Sequence, residues 1–340
     1  MTQWLAQVGE AFRAATLSTF GASGEVIFLI IVAIAVFLMF ALYAMSAGLL
    51  ERKLIGRVHS RIGPMYTGPG GVLQTVADAL KLLRKEIIYP VGSDRAVFTL
   101  APVIMFLTAY MSVLFVPLGS FIIIDSQYSL LIVLALLSLS PVAVLVGSWA
   151  SNSKYSTLGG LRSAAMTMAY EVLLAVAIAS IILTTHSFSI IEIVRWQADA
   201  GVWLVFVQPF AFALFIIAAV ASVERNPMDL TEAESELVSG WKTEYGGAYF
   251  SITLLAEYVK LLITVILISS LFFGGWADFA GEIGFAVKVF IFTALMIYIR
   301  ATAMRLRIDQ LLHDLWTRLI PLAFLNFIVT FGVLAALGGA

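Results

Sequence analysis

Long apolar segments alternate with short polar segments along the whole chain. Eight stretches of mostly apolar residues cover 25–49, 96–118, 128–149, 163–184, 202–223, 249–274, 284–302 and 318–337. A helix needs about 20 residues to cross the hydrocarbon core of a bilayer. The pattern therefore predicts an all-α polytopic membrane protein with about eight transmembrane helices, forming a single membrane domain over residues 1–340 with an N-terminal segment at 1–24.

Composition agrees with this class of protein. Hydrophobic residues make up 61% of the chain and charged residues 12%, whereas soluble domains are about 25% charged. The mean hydropathy is +1.00. The net charge of −1 gives no reason to expect nucleic acid as a partner.

The positive charges predict the orientation of the helices. The four segments that follow the odd-numbered spans, called the inner loops below, hold sixteen of the 20 Lys and Arg residues, and the opposite side holds Arg13 and Arg195. Because cytoplasmic loops carry the excess of Lys and Arg, both termini are predicted outside. Lys260 and Lys288 fall within spans, and Lys288 is expected to extend its ammonium to the outer surface.

Few residues could hold a cofactor. Cysteine is absent, which excludes thiolate metal sites and cysteine-ligated iron–sulfur clusters. The three histidines, His59, His186 and His313, lie at or beyond the edges of spans, so no pair of them is placed for a transmembrane haem. No glycine-rich phosphate loop is present. We therefore expect that the chain carries no metal and no redox cofactor itself.

The composition of the first inner loop changes after residue 71. Residues 51–71 contain too many Gly and Pro residues for one regular helix. Residues 72–86 then place Leu73, Val76, Leu80 and Leu83 on one helical stripe, which predicts an amphipathic helix at the membrane surface. A surface helix that only caps the bundle fits the same pattern.

The third inner loop, 222–247, is unusually acidic. Asn226-Pro227 should end the preceding helix, and Thr231 should begin a new one, with Glu234 at capping-box spacing. Its carboxylates are Glu224, Asp229, Glu232, Glu234, Glu236 and Glu244. Ordinary stabilisation of a helix start explains Glu232 and Glu234, but it does not explain Glu236 and Glu244.

Two further carboxylates lie inside spans. Glu171 and Glu257 are each about 12 Å from the inner surface at 1.5 Å per residue, and a carboxylate at such a depth is a functional hypothesis by default. Lys260 follows Glu257 by three positions, so a neutralised Glu257–Lys260 pair is one interpretation. Glu171 has no cation three or four positions away, and is therefore protonated, paired across helices or facing water. Together with the acidic third inner loop, Glu171 and Glu257 suggest a hydrated acidic path, as in a proton pump or a substrate-coupled carrier.

Four segments resemble one family closely. They are ERKLIGRVHSRIGPMYTGPGGVLQTVADALKLLRKE (51–86), WASNSKYSTLGGLRSAAMTMAYEV (149–172), ERNPMDLTEAESELVSGWKTEYGG (224–247) with AEY (256–258), and RATAMRLRIDQLLHDLW (300–316). The family is the quinone-chamber membrane subunit of respiratory complex I, the proton-pumping NADH:quinone oxidoreductase. It is called the H subunit in bacteria and NADH dehydrogenase subunit 1 in mitochondria.

The resemblance implies a helix bundle at the junction of the peripheral and membrane arms. It implies a quinone-access chamber and a glutamate path that couples quinone reduction to proton translocation, with quinone as substrate and no redox cofactor on this chain. The implied proton path is Glu171, Glu232, Glu234, Glu236, Glu244 and Glu257. The implied chamber and arm-junction residues are His59, Arg61, Asp78, Arg300, Arg305, Arg307 and Asp309.

The resemblance also implies partners and a location. The partners would be peripheral-arm quinone-site and iron–sulfur subunits, antiporter-like membrane subunits, quinone and lipid. The location would be a bacterial or archaeal cytoplasmic membrane, or the mitochondrial inner membrane.

The sequence departs from the family pattern at four places. His59 stands where the family usually has Gln, and Met65-Tyr66 stands where Asn followed by another residue is common. Met228 stands where Phe is usual, and Lys260 stands where a neutral residue is usual. The alternative is the equivalent subunit of an energy-converting nickel–iron hydrogenase or a deazaflavin-dependent dehydrogenase. A secondary carrier usually has two related halves, and no internal repeat is found here.

Overall fold

The computed structural model describes residues 23–229, 231, 234–278, 281–336 and 338. Glu232 lies outside the described residues, and for Glu234 only the backbone is described. Within the described part the chain is helical, and its β-type pairing is limited to an isolated antiparallel bridge between Leu118 and Phe121. The predicted all-α class is confirmed.

Thirteen α-helices are present in the described residues. They are α1 (Ser23–Val58), α2 (Gln74–Arg84), α3 (Arg95–Val113), α4 (Ser129–Ala150), α5 (Lys154–Thr185), α6 (Ile190–Ala200), α7 (Leu204–Val207), α8 (Pro209–Ser222), α9 (Glu234–Leu237), α10 (Gly247–Phe272), α11 (Gly281–Thr302), α12 (Ile308–Asp314) and α13 (Ile320–Ala336). Short 3₁₀ turns form at Pro69–Gly71 and Gly240–Lys242. A π-helical turn at Leu315–Leu319 joins α12 to α13.

Seven helical segments in the described residues are long and apolar enough to cross a membrane. They are Ile30–Val58, Arg95–Val113, Ser129–Ala150, Lys154–Thr185, Gly247–Phe272, Gly281–Thr302 and Ile308–Ala336. The protein is therefore a multi-pass integral membrane protein, as predicted.

The predicted span at 202–223 takes a different form. It is divided into α7 and α8, with Gln208 between them in a non-helical conformation (φ −128°, ψ 58°). Pro209 explains the break, because its ring disfavours the α conformation at the preceding residue and it has no N–H to donate. The buried Gln208 Nε2 donates to the hydroxyls of Thr184 and Thr330, each at 3.1 Å. Hydropathy alone does not reveal this interruption, because the apolar composition continues across it.

Helices α5 and α10 are the most buried of the candidate spans. Helix α5 packs against α4, α8 and α13, and α10 packs against α1, α2, α3 and α11. Large side chains such as Tyr170, Phe215 and Phe272 are fully buried in the core. The two central helices also carry Glu171 and Glu257, so both carboxylates belong to the most buried part of the bundle.

The third inner loop is fixed to the bundle by aromatic packing. The rings of Phe98 on α3 and Tyr245 in the loop stack with centroids 4.1 Å apart, and the Tyr245 hydroxyl donates to the Phe98 carbonyl at 3.2 Å. On the other side, Ser156 of α5 donates to the carbonyl of Trp241 at 3.0 Å. A Cβ on Gly159 would lie 2.5 Å from the Trp241 nitrogen, so glycine is what allows this close approach.

Candidate functional site

A cavity of about 1040 Å³ is bounded by α1, α2, α3 and α10. Its walls are mainly apolar, with Phe37, Leu38, Met45, Val103, Phe106, Phe250 and Leu254 among them. Polar side chains also line it, namely Glu51, Arg52, Thr75, Asp78, Lys81, Lys85, Arg225, Ser251, Tyr258 and Arg300. A cavity of this size, largely apolar with a limited set of polar groups, is typical of a site for an organic ligand.

Helix α2 forms one wall of the cavity. Asp78 accepts from Arg52 of α1 at 2.5 Å and from Gln74 at 3.0 Å. The predicted apolar stripe of α2 is exposed in the isolated chain, as expected for a helix at a membrane surface. On α1, a Cβ on Gly48 would lie 3.3 Å from the Tyr258 hydroxyl, so this glycine allows α10 to approach α1 at the cavity.

Glu51 is the centre of a buried charged network at the cavity. Its carboxylate is held by Arg225 Nη1 at 2.9 and 3.2 Å, and it also accepts from Arg300 Nη1. The hydroxyl of Tyr258 donates to Glu51 Oε2 at 3.2 Å. Only 7% of Glu51 is exposed, so these partners compensate for the lost hydration of the carboxylate.

The sequence interpretation did not single out Glu51. Its two arginine partners lie 174 and 249 positions away in the chain, which no local spacing reveals. The available signal was its position at the inner end of the first apolar segment, where a carboxylate precedes Arg52 and Lys53.

Glu257 joins the same network from α10. Lys242 Nζ contacts its Oε1 atom, and Arg225 Nη2 lies 3.9 Å from its Oε2 atom. Since Arg225 also holds Glu51, it links the cavity to Glu257. Its guanidinium additionally lies 5.1 Å from the Tyr258 ring centroid, a distance at which a cation is attracted to an aromatic face.

The interpretation of Glu257 and Lys260 as a pair is wrong for the described structure. The cations at Glu257 are Lys242 and Arg225. Lys260 is itself buried, with 6% of its surface exposed. Side chains three positions apart on a helix can interact. Here, however, the third inner loop folds back onto α10, and its Lys242 contacts Glu257.

Two of the other predicted path residues, Glu236 and Glu244, are described with their side chains and lie in the third inner loop. Glu236 pairs with Arg162 at the surface, where 42% of the Glu236 side chain is exposed. Glu244 is half-buried in the loop before α10. The described part of the helix that was predicted to follow Thr231 is Glu234–Leu237, and the Thr231 hydroxyl donates to Glu224 Oε2 at 3.0 Å.

The predicted chamber and junction residues divide into two groups. Asp78 and Arg300 line the cavity. The remaining five, which are not among the residues that line it, are His59, Arg61, Arg305, Arg307 and Asp309. His59 Nε2 lies 3.3 Å from the Ala301 carbonyl, Arg61 is exposed, and Arg307 pairs with Asp309 at 2.9 Å on the surface.

Asp229 connects the third inner loop to the fourth. Its Oδ2 atom lies 3.6 Å from Arg305 Nη2, and the backbone of Leu306 donates to the Pro227 carbonyl at 3.1 Å. Burial raises the pKa of Asp229, and the charges of Arg305 and Arg225 oppose that rise. This carboxyl was not among the predicted site residues.

Fold and site together define a class: a multi-pass helical membrane protein in which a largely apolar cavity meets a buried network of carboxylates and cations. The family model described as NADH dehydrogenase matches residues 29–331. The chain belongs to this family.

Bacterial relatives cover nearly the whole chain. The H subunit of an NADH-quinone oxidoreductase from Geobacillus kaustophilus is 42% identical over 87% of this chain and 90% of its own. The proteins of the same name from Brevibacillus brevis and Bacillus cytotoxicus are each 44% identical, over 90% and 89% of this chain and 93% of their own lengths. The family resemblance found in the four inner segments is thereby confirmed.

Proposed function

We propose that this chain, as a membrane subunit of a proton-translocating NADH-quinone oxidoreductase, admits quinone into the cavity and couples its reduction to proton movement through the buried carboxylates. The observation that carries this proposal is the continuity of the charged network from Glu51, at the cavity, to Glu257 on α10. The names of the relatives support quinone as the substrate.

The chemistry of the cavity suits an amphipathic quinone. An apolar tail would contact walls such as Phe37, Phe106 and Leu254, while the head-group oxygens would accept hydrogen bonds from donors such as Arg52 and Lys81. Electrons would come from a partner subunit, because the chain is expected to carry no redox cofactor. Lipid-facing helices on either side of the cavity are consistent with entry from the bilayer.

The coupling of quinone reduction to proton movement follows from electrostatics. Reduction of a quinone by two electrons places negative charge on its oxygens until two protons neutralise it. That charge would compete with Glu51 for Arg225 and Arg300, and Arg225 also lies 3.9 Å from Glu257. A change at the cavity would therefore alter the cation balance at Glu257, and Glu171 with Lys260 would continue the path. Glu232, Glu234, Glu236 and Glu244 would supply protons from the inner surface.

The proposed partners follow from the same role. Peripheral-arm quinone-site and iron–sulfur subunits would contact the inner surface around His59, Arg61, Arg305 and Arg307, and antiporter-like membrane subunits would receive the proton signal laterally. The charge asymmetry favours an orientation with both termini outside, in the cytoplasmic membrane of a bacterium or archaeon. The names of the relatives favour this function over the hydrogenase and deazaflavin alternatives.

The test is proton pumping by the assembled complex in sealed membrane vesicles supplied with NADH. We expect Glu257→Gln to reduce the pumping rate about tenfold, equivalent to about 1.4 kcal/mol in barrier height, because the neutral amide cannot carry a proton. Glu236→Gln should have a smaller effect in the same direction. Glu192→Gln, at an exposed carboxylate on the outer side, is the matched control and should pump normally. Normal pumping by both Glu257→Gln and Glu236→Gln in an assembled complex would overturn the proposed path.

A further inference from the structure

We propose that Lys242 is the counter-ion that controls Glu257, and that its ammonium must leave the carboxylate before Glu257 can take up a proton. This deepens the proposed function and rests on it. Lys242 is a positioning residue, since it acts on the path through Glu257.

The placement of Lys242 is the first observation. It is the last residue of the 3₁₀ turn Gly240–Lys242, and only 4% of it is exposed. Its Nζ atom contacts Glu257 Oε1 and lies 5.5 Å from the ring centroid of Trp241 and 5.9 Å from that of Phe250. A buried ammonium needs compensation of this kind, from a carboxylate and from aromatic faces.

The backbone of the turn is held in place by contacts with α5. The Trp241 carbonyl accepts from Ser156, and Gly159 lets the turn lie directly against α5. The side chain that extends from this turn has four methylene groups and a compact head group. The ammonium can therefore move relative to Glu257 while the backbone stays in place.

The surroundings of Glu257 make Lys242 its dominant cation. Arg225 lies 3.9 Å away and is shared with Glu51, which it holds at 2.9 Å. Asp229 is within electrostatic range of both Glu257 and Lys242. Because Coulomb attraction falls with distance, the direct contact with Lys242 outweighs the longer one with Arg225.

Phe250 connects this pair to the cavity. Its ring lies beneath the ammonium and also lines the cavity, so Lys242 is separated from the cavity by one aromatic side chain. Negative charge arriving in the cavity would attract the ammonium away from Glu257. The same event would leave the carboxylate free to accept a proton.

The test uses Lys242→Met in the assembled complex, with the pH profile of NADH-driven pumping as the readout. A carboxylate that loses a neighbouring cation holds its proton up to a higher pH. We therefore expect the acidic limb of the profile to shift by about one pH unit toward alkaline pH. Lys242→Arg should restore the wild-type profile, and Lys154→Met, at an exposed lysine on the inner side, should leave it unchanged.

The double variant Lys242→Met with Glu257→Gln shows whether Lys242 acts through Glu257. We expect its profile to match that of Glu257→Gln alone, because the effects of residues that act through one contact are not additive. A wild-type profile for Lys242→Met, or a shift that persists unchanged in the double variant, would overturn the inference. If Lys242→Met does not assemble, assembly of the double variant supports the pair, and its failure contradicts it.

These results separate the two proposals. Normal pumping by both Glu257→Gln and Glu236→Gln would contradict the proton path itself. Impaired pumping by Glu257→Gln together with a wild-type profile for Lys242→Met would contradict the role of Lys242 alone.

Discussion

Two charge clusters lie at opposite ends of the bundle, and they are built differently. The outer cluster consists of Trp203, Asp278 and Lys288. Lys288 Nζ donates to the carbonyls of Phe273 at 2.6 Å and Gly275 at 3.0 Å and contacts Asp278 Oδ2. Asp278 Oδ1 accepts from Trp203 Nε1 at 3.0 Å. All three ammonium donors have acceptors, and these acceptors lie in the segment 273–278, at the end of the bundle that was predicted to face outward.

The inner network of Glu51, Arg225, Lys242, Glu257 and Arg300 shares its partners. Arg225 pairs with the carboxylates of Glu51 and Glu257, and Glu51 pairs with the guanidinium groups of Arg225 and Arg300. Three of its members, Glu51, Arg225 and Arg300, also line the cavity. The comparison indicates that a charge cluster with saturated local partners stabilises a loop, whereas a cluster with shared partners beside a cavity can rearrange when the cavity changes charge.

The largest expected effect on stability is in the outer cluster. Lys288→Met removes its cation and leaves Asp278 and two carbonyls without the ammonium, which should lower the free energy of unfolding by about 3–5 kcal/mol. Thermal denaturation of the purified complex measures this loss. Turnover per assembled complex should stay at the wild-type level, because the cluster lies away from the cavity.

The control is the double variant Lys288→Met with Asp278→Asn. The asparagine can still accept from Trp203 but carries no charge, so part of the lost stability should return. Loss of pumping without loss of stability in Lys288→Met would contradict the structural role of the outer cluster.

A smaller effect on stability is expected in the inner network. Glu51→Gln keeps the shape of the side chain and an acceptor for Arg225, so the free energy of unfolding should fall by about 1–2 kcal/mol. Quinone reduction should fall about tenfold, since the two guanidinium groups lose the charge between them. Steady-state NADH:quinone activity, normalised to assembled complex, is the measurement.

Glu282→Gln is the matched control for Glu51→Gln. Glu282 is an outer-side carboxylate that accepts from Ser120 at 2.5 Å, and its replacement should leave quinone reduction unchanged. Equal activities for the two variants would contradict the functional role of Glu51.

Hydropathy was sufficient to predict most of the bundle. Seven of the apolar segments form long helices, and the amphipathic helix of the first inner loop lies at Gln74–Arg84. The segment at 202–223 could not be predicted in detail, because its interruption depends on one proline and on the side chain of Gln208 reaching Thr184 and Thr330.

The candidate site was harder to predict than the helices. Glu171 and Glu257 stand out because carboxylates are rare in spans, but the partners of Glu257 depend on how the third inner loop folds back onto α10. Glu51 was missed because Arg225 and Arg300 come from distant segments. Charge pairing across a bundle is set by tertiary packing, and spacing along one helix reveals only the pairs within that helix.

The most direct test of the central claim is photolabelling of the assembled complex with a photoreactive quinone analogue, followed by mapping of the labelled peptides. The account predicts labels in segments 37–45, 103–106 and 250–258, suppressed by excess unmodified quinone. Quinone-protected labels confined to other helices of this chain, or to partner subunits alone, would contradict it.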